Sequence, residues 1–249
     1  MPLYLASLNI FTSAYSQSDF FGKLIFLGLF LLSIACWIVL IHKWRLMRQV
    51  TSLSNAFENI YKKNKSQLLA LEKELFTDPL LQDWLNPFAD LFFATQQKTI
   101  EVLNKNLFFA RKMDKECSEF FLSTEDLELI ETEALTTLSK QNKKLEEHLF
   151  ILSTIVTLAP FLGLLGTVWG ILITFGELHK GGVTSSNSII LGGLSTALTT
   201  TVLGLVIAIP ALIAYNYLKN RTKKISSDTE DFLYTLLSTL ELQYRKSGL

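Results

Sequence analysis

Charge is missing from three long parts of this sequence. Residues 24–41, 149–176 and 189–218 contain no Asp, Glu, Lys or Arg, although the 249-residue chain carries 23 acidic and 23 basic side chains. A soluble globule has little reason to segregate charge in this way. About 20 apolar residues cross a bilayer as a helix, within a range of roughly 17–25. The first stretch is just long enough, and the other two exceed the minimum and must tilt or project beyond the lipid. A basic excess is also absent, which removes the electrostatic argument for nucleic acid as a partner. Cysteine is scarce: Cys36 and Cys117 are too few for a disulfide framework and have no metal-ligand spacing.

The spans themselves lack Asp, Glu, Lys, Arg and His, since His42 and His148 stand at span ends and His179 in a connection. Such a chain cannot by itself relay protons through a titrating side chain. Outside the spans there is no phosphate loop, no HExxH and no His/Cys cluster. With no nucleophile–base constellation, the sequence does not read as an enzyme, and it implies no cofactor and no metal. No internal repeat or low-complexity tract is evident.

What remains is an all-α integral membrane protein with three transmembrane helices and long cytoplasmic helical extensions. Lys43, Arg45 and Arg48 follow the first span, Lys140, Lys143 and Lys144 precede the second, and Lys219, Arg221, Lys223 and Lys224 follow the third. The excess of Lys and Arg puts those flanks in the cytoplasm and the N-terminus outside. The expected organisation is a periplasmic segment 1–19, a first span 20–41, a cytoplasmic helical domain 42–148, a second span 149–176, a periplasmic loop 177–188, a third span 189–218 and a cytoplasmic helix 219–249. Leu3–Phe11 is expected to be a small interfacial helix, with no basic region to make it a cleaved signal peptide.

The middle segment carries helix punctuation. Asn86–Pro87 and Asp78–Pro79 read as caps with proline in the first turn. Ser123 with Asp126 three residues on resembles a capping box. Leu127, Ile130, Ala134, Leu138, Leu145 and Leu149 then recur at helical spacing. That stripe predicts one helix from about Glu125 to Phe175, on the order of 75 Å long. A second stripe, Ile225, Phe232, Leu233, Leu236, Leu237 and Leu240, predicts an amphipathic continuation of the third span.

Small residues mark the last two spans. Gly163, Gly166, Thr167 and Gly170 share one face of the second, and Gly166 and Gly170 form a GxxxG pair that lets helix backbones approach closely. Helix packing is the expected use, and Gly166→Leu, by pushing two backbones apart, is expected to cost the oligomer. Pro160 removes a backbone donor within the same span. In the third, Thr196, Thr200, Gly204 and Ala208 step by four. Thr199, Thr200 and Thr201 stand in a row, covering most of the circumference, so some of these hydroxyls should face protein or a hydrated path.

The run TLAPFLGLLGTVWGILITF at 157–175 resembles the second membrane helix of the TolQ/ExbB/MotA family of proton-channel subunits. Ala159, Pro160, Gly163, Leu164, Gly166, Thr167, Val168, Trp169, Gly170 and Ile171 match its pattern. The string ALTTTVLGLVIAIPALIAYN resembles the family's next motif through Ala197, Leu198, Thr201, Gly204, Leu205, Ala208, Ile209, Pro210, Ala211, Tyr215 and Asn216. The resemblance implies a bacterial inner-membrane subunit, present as a homo-oligomer, a pentamer in the family. Its partner would be a TolR- or ExbD-like single-span protein with a membrane Asp. The work would be TolQ-like envelope maintenance in a Tol-Pal system or ExbB-like energising of outer-membrane transport.

Thr201 matches a cavity-lining threonine, and Thr200, Thr196 and Thr157 are further candidates for the path. Pro160, Gly163, Gly166, Thr167, Gly170, Gly204 and Pro210 are candidates for helix packing. Two departures stand out. The threonine common two residues before the proline is Leu158 here, with Thr157 one residue earlier. The glutamate that many ExbB and TolQ members carry in the third helix is Thr196. The alternative is a helical membrane scaffold that conducts nothing.

Overall fold

A computed structural model describes residues 12–16, 18–63, 85–112, 122–180 and 186–244. The Leu3–Phe11 helix, the Asp78–Pro79 cap and Cys117 lie outside them. The described residues are almost entirely helical: α1 (Phe20–Lys63), α2 (Pro87–Lys112), α3 (Thr124–Glu146), α4 (Leu149–Lys180) and α5 (Ser186–Tyr244). Three stretches among them are long and apolar enough to cross a membrane, within Phe20–Lys63, Thr124–Gly176 and Gly192–Tyr244.

The ends of these helices follow from their sequence. Asp19 accepts the Gly22 backbone N–H at 2.9 Å and caps α1. Asn86 accepts from the Ala89 N–H at 3.3 Å, with Pro87 as the first residue of α2. Ser123 and Asp126 form the reciprocal capping box at the start of α3. Each cap satisfies donors that a helix start leaves without an intrahelical partner.

The expected single helix from 125 to 175 is interrupted. Glu147 leaves helical geometry (φ −49°, ψ 139°), and His148 adopts φ 64°, the left-handed region that a side chain's Cβ disfavours. The sequence gives no glycine or proline there to announce the break. His148 faces His42 of α1, with ring centroids 6.1 Å apart. Since glycine enters the left-handed region without that penalty, His148→Gly is expected to leave thermal stability unchanged or raise it by up to about 1 kcal/mol. His148→Val should lower it by about 1–2 kcal/mol, as read from unfolding curves in detergent.

The chain divides into two compact units, residues 1–43 with 148–218 and residues 44–147 with 219–249. The second unit has an aromatic core. Phe57 and Tyr61 of α1, Phe88 and Phe92 of α2, Ala134 and Leu138 of α3, and Phe232, Leu233, Leu236 and Leu240 of α5 are buried together. Phe232 meets Tyr61 edge-on at 5.0 Å and Phe57 at 5.8 Å. Polar side chains pin the flanks: Gln141 donates to Asp90 at 2.8 Å and Asn106 to Asp126 at 2.8 Å. Ala134 and Leu138 of the first stripe and Phe232, Leu233, Leu236 and Leu240 of the second are thus in this core, and the second stripe continues α5 without a break. The first unit brings α4, the start of α1 and the apolar part of α5 together.

Candidate functional site

In the first unit α4 and α5 pack through their small residues. A Cβ added at Gly163 would meet the Thr200 carbonyl at 2.9 Å and Thr201 Cα at 3.0 Å. One at Gly204 would meet the Ala159 carbonyl at 2.6 Å, and one at Gly170 the Ala197 Cβ at 2.8 Å. At Gly166 the Thr200 side chain occupies the space, its Cβ 2.7 Å away. Backbones this close gain dispersion contacts that a membrane interior does not otherwise provide. The glycine face expected to pack against another helix meets α5 of the same chain. Gly166→Leu should disturb the subunit itself first, and assembly only through it.

Two threonines bond across this contact. Thr201 donates its hydroxyl to the Gly163 carbonyl at 2.9 Å, with Thr167 Oγ1 3.4 Å away. Thr200 donates to Ala197 in its own helix at 2.7 Å and approaches the Gly163 carbonyl at 3.3 Å. Thr200 is 2% exposed, whereas Thr201 is only partly buried. The first hydroxyl is enclosed in the helix contact and the second sits at its edge. A threonine oxygen that donates once still has lone pairs to accept with.

The position of α1 separates the two edges of α4. Trp169 packs against Phe21 with centroids 4.4 Å apart and the rings tilted by 46°, and its indole N–H donates to Asp19 at 2.9 Å. Leu162 approaches Gly28. At about 100° per residue, Thr167 points roughly opposite to Trp169, and Thr157 lies about 140° from Leu162. Thr167, with Thr201 beside it at 3.4 Å, thus lies on the side of α4 away from α1, whereas Thr157, about 180° from Gly166, points away from α5. Thr157 is exposed and donates to the Thr154 carbonyl at 3.0 Å. Thr196 is not brought to this edge: five residues from Thr201, it is turned by about 140° and donates to the Gly192 carbonyl at 2.9 Å. Pro160 and Pro210 are both accommodated inside helices.

Sequence reasoning missed Asp19. It stands just before an apolar run, so it reads only as a cap, and its bond to a residue 150 positions away leaves no local signal. Burial pushes its carboxyl upward, but the bonds from Trp169 and from the Gly22 and Phe21 backbone outweigh this and hold it below the ordinary 3.8. A group depressed on folding contributes stability above its unfolded pKa and loses it as pH falls through the folded one. The Asp19–Trp169 link is therefore expected to hold at neutral pH and to release only in acid, below the ordinary carboxylate range. Trp169→Phe keeps the ring against Phe21 but loses the donor, and should cost about 1 kcal/mol. A double-mutant cycle with Asp19→Asn should recover a coupling of at least about 0.5 kcal/mol.

Comparison with known proteins adds context to this geometry. The family model described as the MotA/TolQ/ExbB proton channel family matches residues 101–231. The chain is similar to the biopolymer transport protein ExbB of Aquifex aeolicus, 42% identical over 88 residues, which are 35% of this chain and 59% of that protein. It is 38% identical over 100 residues to ExbB of Xanthomonas campestris pv. campestris (strain B100), covering 39% of this chain and 38% of that one. It is 34% identical over 106 residues to the Tol-Pal system protein TolQ of Haemophilus influenzae, covering 43% and 46%. The chain thus spans between about two fifths and three fifths of the length of these relatives.

Proposed function

Because this chain belongs to the MotA/TolQ/ExbB proton channel family, we propose that it is the multi-copy subunit of a proton-driven motor, conducting protons jointly with a smaller partner. It is a multi-pass membrane protein of the ExbB/TolQ type. The proposed spans are residues 20–41, 149–176 and 189–218, set in a bacterial inner membrane with the N-terminus in the periplasm and the C-terminus in the cytoplasm. Several copies, five by family resemblance, would surround the membrane helix of a TolR- or ExbD-like partner. The energy of the gradient would go to envelope maintenance or to outer-membrane transport.

One observation carries this reading: Thr167 and Thr201 meet at one edge of the α4–α5 contact, on the side of α4 away from α1. An edge of hydroxyls within spans that hold no ionisable residue can orient water and bond to a carboxylic acid, but cannot itself release a proton near neutral pH. The titrating acid must then come from the partner. Thr201 would meet that acid first, accepting from its protonated form and turning its hydroxyl toward the carboxylate. Thr200 is enclosed in helix contact, and Thr157 and Thr196 would reach the path only through a neighbouring copy.

The second reading, a scaffold that conducts nothing, draws on Thr196 standing where many members carry a glutamate. Reconstitution separates the two. Vesicles holding this chain and a single-span partner encoded beside it should take up protons down a gradient, and replacing the partner's membrane Asp with Asn should stop the uptake. A complex that assembles yet passes no protons, with the Asp intact, would favour the scaffold.

A further inference from the structure

The second unit contains a cleft of about 650 Å³ between α1 and α5, with Phe88 of α2 at its wall. Its polar lining is sorted along its length. At one end stand Arg221 and Lys224 of α5 with Thr51, Ser54 and Asn55 of α1. Towards the other stand Asp228, Asp231 and the ion pair of Lys62 with Glu58, at 2.6 Å. Asp228 and Asp231 lie about 10 and 15 Å past Arg221 along the helix, and Asp228 stands one turn from Lys224.

At the cationic end no ion pair within 4.0 Å involves Arg221 or Lys224 among the described residues. Thr51 donates to the Met47 carbonyl at 2.8 Å and accepts from Arg221 at 3.1 Å. That holds the guanidinium in place while leaving its charge and its remaining donors available. Beside it, Ser54 is 8% exposed and its hydroxyl has no hydrogen-bond partner. A buried polar group without a partner is costly and calls for an explanation. Ser54 is among the residues that line the cleft.

We propose that this end of the cleft binds a phosphate group, held by the Arg221 fork and the Lys224 ammonium and completed by Ser54 and Asn55. Arginine suits phosphate because its planar donors meet two oxygens at once, and lysine adds a point charge. Glu58, Asp228 and Asp231 along the rest of the cleft disfavour an anion larger than one phosphate group. Arg221 stands three residues beyond the charge-free run that ends at Leu218, within about 5 Å along the helix. A lipid headgroup phosphodiester and a free phosphate therefore share the required chemistry. The site is independent of the proton path proposed above.

Thermal unfolding of the full chain in a phosphate-free maltoside detergent tests this at fixed ionic strength. Inorganic phosphate and dihexanoylphosphatidylglycerol are the two probes, with chloride as the control. A saturable rise in Tm is expected with at least one probe and none with chloride. Tenfold or tighter binding of the short-chain lipid identifies a headgroup site, and the reverse order a site for free phosphate. Arg221→Gln and Lys224→Gln should each weaken binding at least tenfold. Ser54→Ala should keep the parental Tm without ligand and weaken binding several-fold, which separates lost binding from lost folding. Equal binding by parent and variants, or no saturable rise with either probe, would overturn the proposal.

Discussion

Replacing Gly204 with leucine is expected to be the most damaging single change in the membrane-spanning part of this chain. Even one added carbon would stand 2.6 Å from the Ala159 carbonyl and 3.3 Å from Gly163 Cα. Both neighbours are backbone, so no rotamer change can relieve the clash and α4 and α5 must separate. Overpacking costs about 1–3 kcal/mol where side chains can shift, and here about 3 kcal/mol or more should be lost. Helix propensity favours leucine over glycine by less than about 1 kcal/mol, so it does not decide the outcome. Gly176 is the control: a Cβ added there meets nothing within 4 Å. Gly176→Ala should unfold at or slightly above the parental temperature, whereas Gly204→Leu should lose its cooperative transition or insert without packing. Equal melting of the two variants would show that α4 and α5 do not pack as described.

Much of this arrangement is legible in the sequence, and what is not has physical reasons. Charge-free runs announce the three membrane helices because hydrocarbon tolerates little else. Ser123, Asp126 and Asn86 announce helix starts because capping is local chemistry. Small residues stepping by four announce a close helix contact, but only the structure shows that the partner is in the same chain. His148 hides the break before α4, since a histidine in the left-handed region leaves no compositional mark. The Asp19–Trp169 bond and the cleft between Arg221 and Ser54 join residues far apart in the chain, beyond the reach of periodicity. Thr201 was singled out by resemblance, and the structure adds its bond to Gly163 and its place at the edge of the contact. Thr196 and Thr200, grouped with it in the sequence, are separated from it by helical phase and by burial.

Thr201→Val carries the second large expectation. Valine keeps the shape and removes the hydroxyl, which costs one hydrogen bond to the Gly163 carbonyl, about 0.5–1.5 kcal/mol of stability. That carbonyl keeps its ordinary helical partner, so the fold and the assembly should survive. A bond from a hydroxyl to a charged carboxylate contributes about 1.5–3 kcal/mol, so losing it should slow proton transfer about 10- to 100-fold. Thr201→Ser, which restores the oxygen, should recover most of the rate. The direct test is proton flux in vesicles that contain this chain and its partner, under an imposed gradient, with parent, Thr201→Val and Thr201→Ser at matched amounts of assembled complex. The account predicts flux for parent and serine and little for valine; a valine variant that conducts like the parent would contradict it.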